Sequence, residues 1–381
     1  MFKLKKIIVV GAGVLGASAA YHLAKEGVEV LIADRHHPGQ ATDAAAGIVC
    51  PWISQRRNKA WYRLVKGGAR YYPSLIERLK EEGEADTGYK QVGALSLHTD
   101  EDKLKKMKER TIKRREDAPE IGDIKILSNE ETRKLIPILS KEYGSVYISG
   151  GARVDGRALR DALLSAAIKN GARMIIGGGS LLTESGKVVG IEIQGENFFA
   201  DEVVVTGGAW AAELIDPLGV EFQVSFQKAQ ILHLHLEGMN TDQWPVVMPP
   251  TNQYLLSFEG GRLVAGATHE DNTGFDVRPT AGGLHEILDK AIDIAPGIIN
   301  STILETRVGF RPYTPGFLPV IGRLPGYEGL LLANGLGASG LTSGPYLGAE
   351  LASLALGKPT ELDLDDYPVS GAVMNRNKDL S

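Results

Sequence analysis

The sequence predicts an α/β fold, α+β overall, in which a Rossmann-like domain is assembled from discontinuous segments and an antiparallel-sheet domain is inserted between them. Three observations lead to this fold class. The first 34 residues combine two apolar strands, a glycine-rich turn and a helix. Residues 223–267 alternate between apolar and polar side chains, as antiparallel strands do. Residues 329–356 add a further apolar strand, a glycine-rich loop and a helix.

The N-terminal unit begins with a continuous apolar run, residues 6–10, which predicts a strand buried on both faces of a parallel sheet. Residues 14–26 are predicted to form a helix, because Gly27 provides the residue type most common just after a helix. Residues 28–33 are a second apolar strand. This order of strand, turn, helix and strand indicates a βαβ unit.

The elements that follow define two domains. Helices are predicted at 63–82, 103–117, 157–170, 284–294 and 342–356, and strands at 92–98, 174–176, 188–193, 202–206, 223–235, 254–257, 263–267 and 329–332. Because the first and last segments both look like parts of one parallel sheet, we expect one domain from residues 1–88, 151–222 and 308–381. Residues 89–150 and 223–307 form the inserted domain.

Length and composition are those of an ordinary globular protein. The chain has 381 residues, 43% of them hydrophobic and 23% charged, with a formal net charge of −5. This length exceeds a single core, so two domains are expected. A nucleic-acid-binding protein would carry a basic stripe, so no nucleic-acid partner is expected. With one cysteine, Cys50, neither an internal disulfide nor a thiolate cluster can form, and no metal is expected.

The distribution of apolar and basic residues predicts a cytoplasmic protein. No 18 consecutive residues are uninterruptedly apolar, so no transmembrane segment is expected. The apolar run near the N-terminus is interpreted as a strand rather than a signal peptide, because glycines interrupt it at a motif spacing. Residues 103–115 hold eight basic side chains, which predict a solvated helix face. A basic surface for peripheral membrane association is the alternative.

The turn after the first strand has the spacing Gly11-x-Gly13-x-x-Gly16. In dinucleotide-binding proteins the first glycine permits the tight turn, the second removes a side chain beneath the pyrophosphate, and the third allows close helix packing. The following helix N-terminus attracts the diphosphate. Asp34 ends the second strand at the distance expected for an acceptor of ribose hydroxyls. The predicted site also includes Val14, Leu15 and Arg35.

These residues predict a bound dinucleotide without identifying it. An acid at position 34 disfavours a 2′-phosphate, and therefore NADP. NAD and FAD both contain an adenosine ribose, so an NAD-dependent dehydrogenase and a flavoenzyme stay open as alternatives at this point. A purely structural glycine turn would leave Asp34 unexplained.

Four further segments resemble the FAD-dependent D-amino acid oxidase superfamily, with glycine oxidases, sarcosine-oxidase-like enzymes and D-amino acid dehydrogenases as the nearest relatives. The first is residues 40–48, QATDAAAGI, and the second is residues 171–180, GARMIIGGGS. The third is residues 203–210, VVVTGGAW. The fourth combines residues 308–322, VGFRPYTPGFLPVIG, with residues 334–344, NGLGASGLTSG. The resemblance covers nearly the whole chain.

The resemblance implies non-covalently bound FAD, because the positions at which relatives attach a flavin carry no cysteine or histidine here. It makes the first domain FAD-binding and the inserted domain substrate-binding. The last helix would direct its N-terminus at the flavin and stabilise negative charge there. The implied cofactor contacts, besides those of the N-terminal turn, are Ala41, Thr42, Ala46, Gly47, Ile48, Ser180, Gly208, Gly337, Ala338, Gly340, Leu341 and Thr342.

The resemblance also implies an oxidoreductase that acts on a small amino acid. Arg311 resembles the family's substrate-binding arginine, and a guanidinium holds a carboxylate through two parallel hydrogen bonds. Tyr254 resembles a tyrosine whose hydroxyl contacts the same carboxylate. A hydride would then pass from Cα to flavin N5. Hydrolysis of the resulting imine would give a keto acid and ammonia or an amine, without a dedicated general base.

Several alternatives stay open. The substrate is a D-amino acid, glycine, sarcosine or an imino acid, and the electron acceptor is oxygen, a quinone or another protein. Glycine oxidases carry an arginine where this chain has Ala338. A flavin-bound, non-catalytic subunit of a larger complex is a further alternative, against which Arg311 argues. A homo-oligomer is compatible with the sequence. Lys228 is interpreted as a surface lysine, with an influence on oxygen reactivity as the alternative.

Overall fold

A computed structural model of the chain describes residues 5–375, so the outermost ends of the predicted FAD-binding domain, residues 1–4 and 376–381, lie outside the described residues. The helices within this range are α1 (Val14–Lys25), α2 (Lys59–Glu81), α3 (Glu101–Arg115), α4 (Asn129–Leu135), α5 (Gly156–Lys169), α6 (Ala211–Ile215), α7 (Ala281–Ile294) and α8 (Gly340–Ala355). Between residues 5 and 375, no helix combines the length and the apolar composition that crossing a lipid bilayer requires.

The strands are numbered along the chain. The first half contains β1 (Lys6–Val10), β2 (Glu29–Asp34), β3 (Ile48–Val49), β4 (Lys90–Gln91), β5 (Ala94–His98), β6 (Ile124–Leu127), β7 (Gly144–Ile148), β8 (Ala152–Arg153), β9 (Arg173–Ile176), β10 (Gly179–Glu184) and β11 (Lys187–Ile193). The second half contains β12 (Glu196–Phe199), β13 (Glu202–Val205), β14 (Val220–Phe222), β15 (Ser225–His235), β16 (Val246–Met248), β17 (Tyr254–Ser257), β18 (Arg262–Gly266), β19 (Thr302–Tyr313), β20 (Val320–Arg323), β21 (Leu330–Asn334) and β22 (Val373–Asn375).

The N-terminal strands lie at the centre of a six-stranded sheet with the order β20-β21-β13-β1-β2-β9. Its neighbours are parallel except for β20 and β21. Ile7, Val9 and Val204 are fully buried and pack with α1, α5 and α8 on one face. Val203 and Val205 pack on the other face with the three-stranded sheet β10-β11-β12. Coverage of both faces explains why these strands are apolar throughout.

The second large sheet has eight strands in the order β19-β15-β18-β17-β16-β5-β7-β6. Its neighbours are antiparallel except for β16 and β5. Helix α7 covers one face, where Ile287 packs against Leu232 and Leu234 of β15. The opposite face of β15 carries Ala229 and Ile231, which join the core of the six-stranded sheet's domain. The two large sheets are therefore in direct contact along β15.

Strand β19 carries the chain from the second sheet to the cofactor side. It pairs with β15 over its whole length, and this pairing places Gly309 opposite Ala229 and Arg311 opposite Gln227. The predicted domain boundary at residue 308 falls inside this strand. One continuous strand thus brings Arg311 from the antiparallel sheet to the cavity at the edge of the six-stranded sheet.

The structure confirms the predicted fold class, and most predicted elements differ from the observed ones only at their ends. The predicted helix at 157–170 is α5, and the predicted helix at 63–82 is α2, which begins earlier because the Asn58 side chain accepts a hydrogen bond from the Trp61 N–H. Strands β6 and β7 were not predicted; β6 is half exposed and lacks a clear alternation. The basic side chains of α3 surround a short buried stripe of Leu104, Met107 and Thr111.

Candidate active site

A cavity of about 400 Å³ lies where the carboxyl ends of β1, β2, β13 and β21 meet the second domain. Ligands of open α/β sheets bind at this edge, because loops and helix N-termini converge there. The predicted site residues that line it are Gly11, Gly13, Val14, Leu15, Asp34, Arg35, Ala41, Thr42, Ala46, Gly47, Ile48, Gly208, Tyr254, Arg311, Gly337, Ala338, Gly340 and Leu341. The structure therefore brings together segments that are far apart in the chain.

Two glycines of the N-terminal turn are required by the packing of the protein itself. Gly11 has a φ of +101°, and a Cβ added there would lie 2.6 Å from the carbonyl oxygen of Thr206. A Cβ on Gly16 would lie 1.9 Å from the carbonyl oxygen of Gly11. Gly16 does not line the cavity; it allows α1 to pack closely on the turn, which is the role the motif predicts for its third glycine.

Other glycines are not explained by protein packing. A Cβ on Gly13 would come no closer than 3.4 Å to another atom, the Thr42 Oγ1. A Cβ on Gly208 or Gly337 would come no closer than 4.0 Å, although both residues need glycine for their φ of +55°. Bare backbone beside open space allows a ligand to lie directly along the chain. This arrangement fits a cofactor that follows the cavity wall.

The first turn of α1 faces the cavity. Its leading N–H groups have no intrahelical carbonyl partner. The Val14 N–H donates to Thr42 Oγ1 at 3.0 Å, and Leu15 lines the cavity. No acidic residue lies in this turn. The helix end thus keeps its partial positive charge for an anionic diphosphate.

Asp34 is 7% exposed and held rigidly at the end of β2. Its carboxylate accepts hydrogen bonds from the Ala12 N–H at 2.6 Å, the His36 N–H at 2.6 Å and Gln40 Nε2 at 2.9 Å. Each carboxylate oxygen can accept more than one hydrogen bond, and Oδ2 accepts only that from Ala12 among the bonds of the described residues. The remaining capacity suits the predicted role as an acceptor of ribose hydroxyls.

The C-terminal loop and α8 form another wall of the cavity. Asn334 Nδ2 donates to the carbonyl oxygen of Gly208 at 2.9 Å, which ties this loop to the turn after β13. Trp61 Nε1 donates to Ser339 Oγ at 3.0 Å and fixes the turn before α8. No acid lies in the first turn of α8, whose first residue, Gly340, lines the cavity. A second helix N-terminus therefore points its partial positive charge at the cavity.

Two other predicted contacts do not line the cavity. Thr342 Oγ1 instead donates to the carbonyl oxygen of Ile48 at 2.9 Å, and so joins α8 to the alanine-rich segment. Ser180 lies on β10, and the residues of its segment that line the cavity are Gly177, Gly178 and Gly179. The segment thus passes the site one to three residues earlier than predicted.

Arg311 and Tyr254 line the same cavity from the second sheet. Arg311 has no ion-pair partner among the carboxylates of the described part of the chain, and the nearby ionisable group that influences its pKa is Tyr254. Burial lowers the pKa of the Arg311 guanidinium from its ordinary value and raises the pKa of Tyr254 to about 12. An arginine side chain stays cationic in proteins, and the Tyr254 hydroxyl, with its pKa raised, stays protonated and able to donate.

Several lining residues escaped the sequence-based prediction. Gln40 and Trp210 stand at the ends of two segments that were recognised, so their neighbours provided a signal. Phe310 also lies in a recognised segment, beside Arg311. Ala229 lines the cavity because β15 pairs with β19, which places it opposite Gly309. Local patterns contain no trace of that pairing.

Residues 6–354 match the family of FAD-dependent oxidoreductases described as "FAD dependent oxidoreductase". The chain belongs to this family. It is 63% identical to the oxidoreductase YurR of Bacillus subtilis over 97% of this chain and 100% of that one. It is similar to the solved iminodiacetate oxidase of Chelativorans sp. BNC1, with a TM-score of 0.93 and 46% identity over 95% and 98% of the two chains. The solved glycine oxidase of Geobacillus kaustophilus matches with a TM-score of 0.85 and 28% identity over 96% and 98%.

FAD is therefore the cofactor of this oxidoreductase, and the NAD-dependent alternative is set aside. The cavity fits it chemically: two helix N-termini without acidic residues suit the diphosphate and the flavin, and the open backbone at Gly13 and Gly337 leaves room for them. Within residues 5–375, no three His, Cys, Asp or Glu side chains form a group that would hold a metal ion.

Proposed function

We propose that this chain oxidises a small amino acid, such as a D-amino acid, glycine, sarcosine or an imino acid, to the corresponding imine. The observation that carries the proposal is Arg311, a guanidinium in the FAD cavity without a carboxylate partner among the described residues. Burying such a charge is costly unless a counter-ion arrives. A substrate carboxylate provides one.

The carboxylate is oriented by two neighbouring donors. The planar guanidinium of Arg311 presents parallel N–H groups that match the two oxygens of a carboxylate and fix its direction. The Tyr254 hydroxyl, held protonated because burial raises the pKa of Tyr254 to about 12, donates a further hydrogen bond. Tyr254 stands opposite Gly266 on β18, and a Cβ on Gly266 would lie 2.8 Å from the hydroxyl oxygen. Because Gly266 has no Cβ, the Tyr254 hydroxyl can occupy this position.

The side chains position the substrate, and FAD bound in the cavity would supply the redox chemistry, namely acceptance of a hydride from the substrate Cα. The nitrogen lone pair forms the C=N bond as the Cα–H bond breaks, so the two electrons leave with the hydride. Water then adds to the imine carbon, and a keto acid and ammonia or an amine result. Orientation and electrostatics provide the catalysis, and no side chain need remove a proton from Cα.

The similarity to an iminodiacetate oxidase supports secondary amines as part of the substrate range. In such compounds the nitrogen carries a second carbon substituent, while the carboxylate and the Cα–H are those of glycine. The loop position occupied by Ala338 has a small side chain and lines the cavity, which leaves open space in this part of the cavity. Iminodiacetate and sarcosine therefore belong with glycine, D-alanine and proline in any substrate panel.

The test is anaerobic reduction of the bound flavin. Purified holoenzyme is mixed with each amine of this panel, and bleaching of the flavin absorbance is recorded by stopped flow. At least one amino acid should reduce the flavin, while the matching amine without a carboxylate, such as dimethylamine for sarcosine or methylamine for glycine, should not. Repeating the reaction in air separates an oxidase from an enzyme that needs a quinone or protein acceptor.

Failure of every amine to bleach the flavin would contradict the proposal and favour a flavin-bound, non-catalytic subunit. Equal reduction by amines with and without a carboxylate would contradict the role of Arg311 while leaving the redox activity intact.

A further inference from the structure

A segment of the second domain crosses to the FAD-binding domain beside the cofactor cavity. This segment, residues 270–280, connects β18 to α7 and is called the strap below. It contains no helix or named strand. Its two ends are fixed to β15, and its middle lies on aromatic residues of the cavity wall.

The middle of the strap is anchored by Phe275. Its ring stacks on Phe226 at 4.2 Å between centroids and on Trp210 at 5.1 Å, and it meets Phe310 edge-on at 5.1 Å. Trp210 and Phe310 both line the FAD cavity. Aromatic pairs at such distances add to the stabilisation that burial alone provides. The strap therefore supports the cavity wall from behind.

The strap also lies close to the chain that follows β2. A Cβ on Gly39 would lie 2.4 Å from the ring of Phe310 and 3.2 Å from Val277 of the strap. The Phe310 N–H donates to the carbonyl oxygen of Gly39 at 2.9 Å. The cavity wall, β19 and the strap thus form one tightly packed layer at this point.

The strap is held by Lys228, a residue of β15 whose side chain is 1% exposed. Lys228 Nζ donates to the carbonyl oxygen of Arg278 at 2.9 Å and lies 3.6 Å from Asp276 Oδ2. Its backbone N–H and C=O exchange hydrogen bonds with Glu270 at 2.9 and 3.0 Å. The interpretation of Lys228 as a surface lysine is therefore wrong, because the strap covers it.

Gln230, two residues further along β15 and fully buried, holds both ends of the strap. Its Nε2 donates to Glu270 Oε1 at 2.8 Å and to Thr280 Oγ1 at 2.9 Å, and its Oε1 accepts from the Thr280 N–H at 2.9 Å. Lys228 and Gln230 thus fasten the beginning and the end of the strap to the same strand.

A buried lysine is expensive, since its charge loses solvation that only close polar partners replace. An apolar side chain of the same length would fill the space at lower cost. The polar groups that compensate the buried charge of Lys228 belong to the strap. The charge therefore fastens the strap to β15 and has no role in the packing of the hydrophobic core.

We propose that the strap retains FAD, and that Lys228 is the positioning residue that keeps it in place. Release of FAD requires the wall that contains Trp210 and Phe310 to move, and the strap resists this movement through Phe275. This inference depends on FAD binding and not on the identity of the substrate.

The test compares FAD release from holoenzyme variants. Lys228→Met removes the anchor, and Phe275→Ala removes the contact with the wall. FAD release, followed as the rise in flavin fluorescence after dilution, should become at least about tenfold faster in each variant, given the strength of three aromatic pairs. The double variant should be only slightly faster than the single ones, because both changes act on the same contact path. Lys134→Met, which removes an exposed lysine paired with Glu130, should release FAD at the parental rate.

The melting temperatures of holoenzyme and apoprotein show whether the strap retains FAD or stabilises the fold in general. If the strap retains FAD, the variants lose thermal stability mainly as holoenzymes, and the gap between holo and apo melting temperatures shrinks. Release rates within twofold of the parent in folded Lys228→Met would overturn the proposal. If Lys228→Met does not fold, Phe275→Ala alone decides, because its side chain is 39% exposed and its loss leaves no cavity in the core.

Discussion

Replacing Arg311 should abolish most of the catalytic efficiency while leaving FAD bound. Arg311→Met removes two charge-assisted hydrogen bonds to the substrate carboxylate, each worth about 1.5–3 kcal/mol. Tyr254 and His269, the ionisable groups that interact with Arg311, include no lysine or arginine, so no neighbouring permanent cation takes over. A loss of about 4 kcal/mol corresponds to a decrease of about a thousandfold in kcat/KM. Arg311→Lys keeps the charge but loses the two-pronged geometry, and a decrease of ten- to a hundredfold is expected.

The assay measures kcat/KM and the rate of anaerobic flavin reduction with the best amine of the substrate panel, and the flavin-to-protein absorbance ratio reports cofactor content. That ratio should stay at the parental value, because the glycine turn and Asp34 lie at other parts of the cavity wall. Arg173→Met, which removes an exposed arginine from β9, serves as the control and should be silent. The reasoning fails if Arg311→Met retains kcat/KM within about threefold of the parent.

Three further predictions concern the cofactor site, the tyrosine and acid stability. Gly13→Val should yield a folded apoprotein with little FAD, because the valine side chain enters open cavity space. Gly11→Ala should lower the melting temperature even without FAD. Absorbance spectra report the FAD content, and thermal unfolding reports the stability. Tyr254→Phe should lower kcat/KM by about tenfold, the loss of one hydrogen bond. Burial raises the pKa of Tyr254 to about 12, so its ionisation should leave the parental pH–rate profile flat up to about pH 11, and a fall that disappears in the variant would contradict this. Burial lowers the pKa of His22 to about 3, so the unfolded chain binds a proton below pH 6.5 that the folded chain does not. The free energy of unfolding should therefore decrease by up to about 4 kcal/mol from pH 6.5 to pH 3; urea titrations check this, and His22→Gln should reduce the slope.

The N-terminal half of the site could be predicted because its signals are local. The spacing from Gly11 to Gly16 and the acid at position 34 lie within a single βαβ unit, and the sequence alone places them. Arg311 and Tyr254 are different. They lie on strands separated by β15 and β18, and only the order of the eight-stranded sheet brings them together. The joint role proposed for them comes from resemblance to a family and not from periodicity.

Lys228 illustrates what a strand pattern leaves out. Alternation places Phe226, Lys228 and Gln230 on one face of β15, and a face with polar side chains is ordinarily solvated. Further along the same face, Leu232 packs under α7. The strap covers the adjoining part of this face as far as Lys228. Burial of this face depends on residues 40 to 60 positions further along the chain. The polar composition of the strand therefore predicts solvent exposure where the structure shows burial.

The two ends of the FAD cavity have a consequence for biosynthesis. One wall carries Gly11 and Gly13, and another carries Gly340 and Leu341, which are synthesised much later. Strand β1 must also await its neighbour β13 before the central sheet is paired. The complete cofactor site therefore forms only after α8 has been synthesised, and until then the nascent chain presents apolar strand edges that depend on continued synthesis or on chaperones for protection.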